Sequence, residues 1–87
     1  MTGKTQFLFD PADMEAAGKA LFGHEWQSKL AHALHVDPRR VRQWMAGERR
    51  PQPGVMQDII SLLEANKAEV SAAVRLLKRK YKPEPTE

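Results

Sequence analysis

The chain has 87 residues, 41% of them hydrophobic and 29% charged, and a formal net charge of +3. That allows one domain with a thin core, since a chain this short buries only about 60–65% of the surface that its unfolded form exposes. The lack of cysteine excludes disulfides, thiolate metal sites and thiol catalysis, and no apolar run approaches the roughly 20 residues of a membrane span.

Residues 1–6 carry no pattern, and the segment 1–9 is expected to be a flexible tail. Asp10 is a suitable cap for a first helix, with Pro11 in its first turn, where a missing N–H is harmless. Phe9 before the cap and Met14 inside have the spacing of a hydrophobic staple. This helix runs through Met14, Ala17, Leu21 and Phe22, and Gly23 is expected to stop it in a left-handed conformation. A second helix covers about 25–34, with Trp26, Leu30, Ala33 and Leu34 on one face. Ala31 is small enough to admit another helix closely. Asp37 and Pro38 form the next cap and first turn. The third helix carries Val41, Trp44 and Met45 inward and ends at Gly47, and Pro51 and Pro53 prevent a restart before residue 54.

Positive charge is concentrated in two places. Residues 37–50 hold five of the seven arginines, Arg39, Arg40, Arg42, Arg49 and Arg50, against Asp37 and Glu48. Residues 75–82 hold Arg75, Lys78, Arg79, Lys80 and Lys82 with no acid. A solvated basic face is the plain reading. A polyanion-binding surface is the sharper one, because arginine offers forked donors suited to phosphates and guanine edges. Two helices joined by a turn of about three residues form a helix-turn-helix arrangement. In its second helix, inward-facing Val41 and Trp44 leave Arg39, Arg42 and Gln43 pointing away from the core, with the lengths needed to reach bases in a major groove.

The spacing of Leu30-Ala31, Leu34, Val36, Val41, Trp44, Gly47 and Pro51 resembles that of the lambda-repressor/Cro-like (XRE-type) helix-turn-helix family. The likeness covers about residues 10–65. The stretches 21–27 and 40–48 look like those of small phage and mobile-element regulators, among them autorepressors of anti-CRISPR operons. One departure is His35, which stands where the family usually has glycine, at a site that often needs a positive φ; histidine tolerates that region better than most residues. The resemblance implies base contacts from Arg39, Arg42 and Gln43 and a phosphate grip by Gln27 at the start of the second helix, a helix end that suits an anion. Arg40, Arg49 and Arg50 are candidate phosphate clamps.

Residues 54–81 read as helical. Met56, Ile59, Leu63, Asn66, Val70, Ala73 and Leu77 follow an unbroken 3-4 spacing, as one helix or as two with a break near Asn66. Ile59, Ile60, Leu62 and Leu63 are too apolar for one narrow seam, so this part is expected to close the core. Val70, Val74, Leu77 and Tyr81 form a narrower stripe that either folds back or pairs with a second subunit. The tail 83–87 is expected to be disordered.

The expected fold is therefore all-α: a compact bundle of four to five helices containing a helix-turn-helix domain over 10–65, with a dimerisation segment over 66–82. The expected function is a non-enzymatic, sequence-specific regulator of double-stranded DNA. It would act as a homodimer on an inverted repeat, with half-site centres about one turn apart, without cofactor or metal. His24, His32 and His35 have no matching acidic or thiolate ligands. An antitoxin-like protein, whose tail binds a protein partner, shares the DNA chemistry. A basic RNA- or membrane-surface binder using residues 70–82 would make the arginines at 39–50 dispensable. With no apolar stretch behind Met1-Thr2-Gly3-Lys4, no secretory signal is expected and a cytoplasmic location is the default.

Overall fold

The computed structural model describes residues 8–82. The tails expected at 83–87 and over most of 1–9 lie outside the described residues. Four helices follow in order: α1 (Pro11–Phe22), α2 (Trp26–Leu34), α3 (Pro38–Met45) and α4 (Pro53–Lys80). Among the described residues there is no strand, and the fold is all-α.

The start of α1 follows the sequence logic. Asp10 is extended, and its side chain accepts a hydrogen bond from the Ala12 N–H at 2.9 Å. Phe9 rests against the core cluster to which the fully buried Met14 belongs, as a staple requires. The end of α1 differs from expectation. Gly23 has φ 81° but ψ −151°, so it is not left-handed helical. It occupies a region essentially open only to glycine. Only Gly23, His24 and Glu25 link α1 to α2, and the extended ψ redirects the chain at once instead of curling it through a further turn.

Met14, Trp26, Leu30, Ala31, Val41, Trp44 and Ile59 form the buried core, so every helix contributes to it. Both tryptophans are core residues, 3% and 4% exposed. Ala31 is fully buried, consistent with its role in letting helices approach. A second close approach lies in α1. Gly18 is buried, and a Cβ built on it would overlap the Trp26 indole. The absent side chain is what makes room for that ring.

The 54–81 region is one unbroken helix and has no break at Asn66. From Val55 to Lys80 it contains neither glycine nor proline and is rich in Ala, Leu, Glu and Lys, which favour helix. It begins one residue earlier than expected, because Pro53 itself serves as the first helical residue. Lys78, Arg79 and Lys80 lie in its last turn, where the helix dipole favours cations. Its N-terminal half packs on α1 and α2, with Ile59 buried and Val55, Met56, Leu62 and Leu63 resting against the core. Ile60, expected to help close the core, is 45% exposed. Beyond Leu63 no residue of α4 joins the core. At 28 residues the helix is about 42 Å long, so its C-terminal half projects from the head formed by the other elements. The molecule accordingly measures 62 Å along its longest axis.

Candidate nucleic-acid interface

The turn between α2 and α3 is built by backbone hydrogen bonds. The Val36 N–H donates to the Ala31 carbonyl at 2.9 Å, and the His35 N–H to the His32 carbonyl at 3.1 Å. This pair of bonds is the Schellman motif, which requires a left-handed residue at its apex. His35 is that residue, with φ 61° and ψ 41°. Histidine therefore holds here a conformation that glycine adopts without strain. Among the described residues it is the one non-glycine residue with positive φ.

The same closure recurs at the end of α3. The Glu48 N–H donates to the Gln43 carbonyl at 2.9 Å and the Gly47 N–H to the Trp44 carbonyl at 3.2 Å, with Gly47 at φ 80°. Both ends of the turn-helix unit are thus set by local backbone geometry. The start of α3 is capped by Asp37, whose side chain accepts from the Arg39 N–H at 2.8 Å. Pro38 follows as the first helical residue.

Between these ends, Val41 and Trp44 anchor one face of α3 in the core. Arg39, Arg40 and Arg42 are exposed and Gln43 is half-buried. Arg39, Arg40, Gln43 and Arg49 line one shallow depression of about 220 Å³ together with Asp37. Arg40 and Arg49 also line a neighbouring one of about 170 Å³, joined there by Arg50. The loop after α3 therefore carries Arg49 and Arg50 back beside Arg40, which their separation in sequence does not by itself reveal. Arg42 lines neither depression and stands apart on the exposed face.

Sequence reasoning missed one feature of this surface. Arg39 is held by Asp37, with its Nη2 3.6 Å from a carboxylate oxygen. Arg40, Arg42, Arg49 and Arg50 have no such carboxylate partner among the described residues. The signal was available, since Asp37 and Arg39 are two apart at a helix start, but the charge of Asp37 entered only the overall balance of the segment and its side chain only the cap.

Gln27 lies in the first turn of α2, half-buried. Glu25 at the cap makes no side-chain hydrogen bond to that turn. The depression of about 400 Å³ around it also involves Ser28 and Lys29. Lys29 is a cation that sequence reasoning did not single out; it adds a positive charge beside Gln27, against the negative charge of Glu25. Compared with known proteins, the chain matches no family model, no curated protein and no solved structure.

Proposed function

We propose that the chain is a sequence-specific double-stranded DNA-binding regulator, a repressor or autorepressor of a phage or mobile-element operon, which binds an inverted repeat as a homodimer in the cytoplasm. The observation that carries this reading is α3. One face is fixed in the core by Val41 and Trp44, the other carries Arg39, Arg40, Arg42 and Gln43, and Arg49 and Arg50 of the following loop lie beside Arg40. A B-form major groove is about 12 Å wide and admits one such helix. Arg39, Arg42 and Gln43 then read base edges, and Arg40, Arg49, Arg50 and Gln27 hold phosphates and fix the register. Repression follows from excluding polymerase, and needs no ligand, metal or cofactor. Selection of bound sequences from random duplex DNA tests the reading. A recovered inverted repeat supports it, and recovery of no preferred sequence rejects it.

The antitoxin-like reading keeps the same DNA chemistry and assigns the exposed Val70, Val74, Leu77 and Tyr81 to a different protein. Co-purification with the product of a neighbouring gene, at the expense of self-association, would favour it. The RNA-binding reading is weakened by the burial of Trp26 and Trp44, which removes them as stacking platforms for single strands.

A further inference from the structure

We infer that Asp37 is a specificity-determining residue of the α3 surface: its carboxylate holds Arg39 so that the guanidinium serves a neutral base edge better than a phosphate. This role rests on the DNA-binding reading above and lies within it. Both oxygens of Asp37 engage the same residue. One accepts the Arg39 N–H at 2.8 Å, and the other lies 3.6 Å from Arg39 Nη2. The bond to the backbone fixes the carboxylate at the start of α3, so the guanidinium is drawn to one place instead of sweeping the surface. The pairing does not hide it, since the Arg39 side chain is 76% exposed. Among the residues around the depression that Arg39 lines, Asp37 is the one acid. Glu48, the other acid of residues 37–50, lines neither this depression nor its neighbour.

The chemistry of the guanidinium decides what this placement favours. Nη2 carries two N–H donors, so an ion pair that takes one leaves the other beside those of Nη1. These can fork onto O6 and N7 of a guanine, both uncharged acceptors. A phosphate can use the same fork, but it brings a full negative charge up to a carboxylate that cannot turn away without giving up the cap. Like charges at such range repel. On a phosphate, Arg39 must therefore either leave Asp37 or share itself between two anions, whereas on a guanine it keeps both partners. An exposed ion pair adds little to stability. Here it acts on the difference between two classes of acceptor, and specificity is such a difference. Arg40, Arg42, Arg49 and Arg50, without a carboxylate partner among the described residues, are under no such bias.

The test compares binding of the selected operator with binding of an unrelated duplex at one fixed salt concentration. Asp37→Asn and Asp37→Ser both keep an oxygen for the cap, and circular dichroism checks that helicity is unchanged. Each should tighten the unrelated duplex about three- to tenfold and the operator about twofold or less, so that the ratio of the two affinities falls. In an Arg39→Ala background the same changes should tighten both duplexes alike, because only the overall charge is left to act. Glu48→Gln, an equal change of charge outside the depression, should also leave the ratio as it is. Equal tightening of both duplexes by Asp37→Asn, or a fall in the ratio that persists without Arg39, would overturn the proposal and leave the DNA-binding reading standing. Weaker operator binding by Asp37→Asn would overturn it as well, since the carboxylate would then touch the DNA itself. An unmodified protein with no preference between the two duplexes would reject the DNA-binding reading, and this role with it.

Discussion

At the scale of single residues, two positions carry backbone or steric demands that their residue type alone does not announce. Alanine normally favours a helix over glycine by about 1 kcal/mol. At Gly18, however, a methyl group would overlap the Trp26 indole. Overpacking of this kind costs about 1–3 kcal/mol, so Gly18→Ala should lower stability in urea titrations in spite of the better helix former. An unchanged or higher midpoint would mean that Trp26 can move aside. His35 presents the opposite case. Its left-handed backbone costs a side-chain-bearing residue about 1–2 kcal/mol, while glycine bears no such strain but loses more entropy on folding. His35→Gly should therefore stabilise the protein by about 1 kcal/mol, and His35→Val should destabilise it, because a β-branched residue is poorly accommodated at positive φ. Equal thermal midpoints for all three proteins would show that the turn is not under strain.

At the scale of elements, α3 divides its labour between an anchored face and an exposed one. Arg42 has no carboxylate partner among the described residues, so Arg42→Ala should weaken operator binding by about 1–3 kcal/mol per half-site and relax the preference at one or two positions, guanines first. Arg39 starts from an ion pair with Asp37. Asp37→Asn keeps an oxygen to accept the Arg39 N–H, so it should retain the cap while releasing the guanidinium. If α3 binds DNA as proposed, binding should tighten, because a negative charge on that surface is removed and one competing partner of Arg39 with it. A titration in which Asp37→Asn binds more weakly, with helicity intact, would assign Asp37 a DNA contact of its own. On the loop, Arg49→Ala and Arg50→Ala should weaken specific and non-specific DNA alike. Each should flatten the log-affinity against log-salt slope by about 0.9 for every phosphate it no longer neutralises. A full slope combined with altered base preference would reverse the roles given to helix and loop.

At the scale of the whole molecule, the head and the overhanging half of α4 answer to different stabilising interactions. The head keeps its core without the stripe, since Val70, Val74, Leu77 and Tyr81 are exposed in the single chain. Leu77→Asp should therefore leave helicity and the unfolding midpoint of the head nearly unchanged while splitting the proposed homodimer, because an unpaired carboxylate in an apolar seam is strongly unfavourable. Tight operator binding should disappear with the dimer, as each half-site alone forgoes the advantage of an intramolecular second binding event. Sedimentation and circular dichroism on the same sample separate the two effects. A Leu77→Asp protein that is still dimeric would move the interface off this stripe.

The helices, their starts and most of the core are legible in the sequence, because the signals that set them are local. Asp10-Pro11 and Asp37-Pro38 each join a capping oxygen to a residue that needs no N–H. Trp26, Leu30, Val41, Trp44 and Ile59 recur at the period that turns them to one side. The positive φ at His35 is legible too, through the resemblance to a helix-turn-helix family in which glycine holds that position. What stays hidden depends on which surfaces meet. Gly18 reads as a weak point of a helix until Trp26 is seen to lie on it. Arg40 and Arg49 read as members of one basic stretch, but only the loop after Gly47 brings them to the same depression. The unbroken α4 is one of two readings of its sequence, since a polar Asn66 in an apolar spacing is compatible with a break or with a seam. Periodicity states that Ile59 and Leu77 share a face, but only the packed head, ending near Leu63, determines that one is covered and the other bare. That is a property of how far three other helices extend, and no residue of α4 encodes it alone.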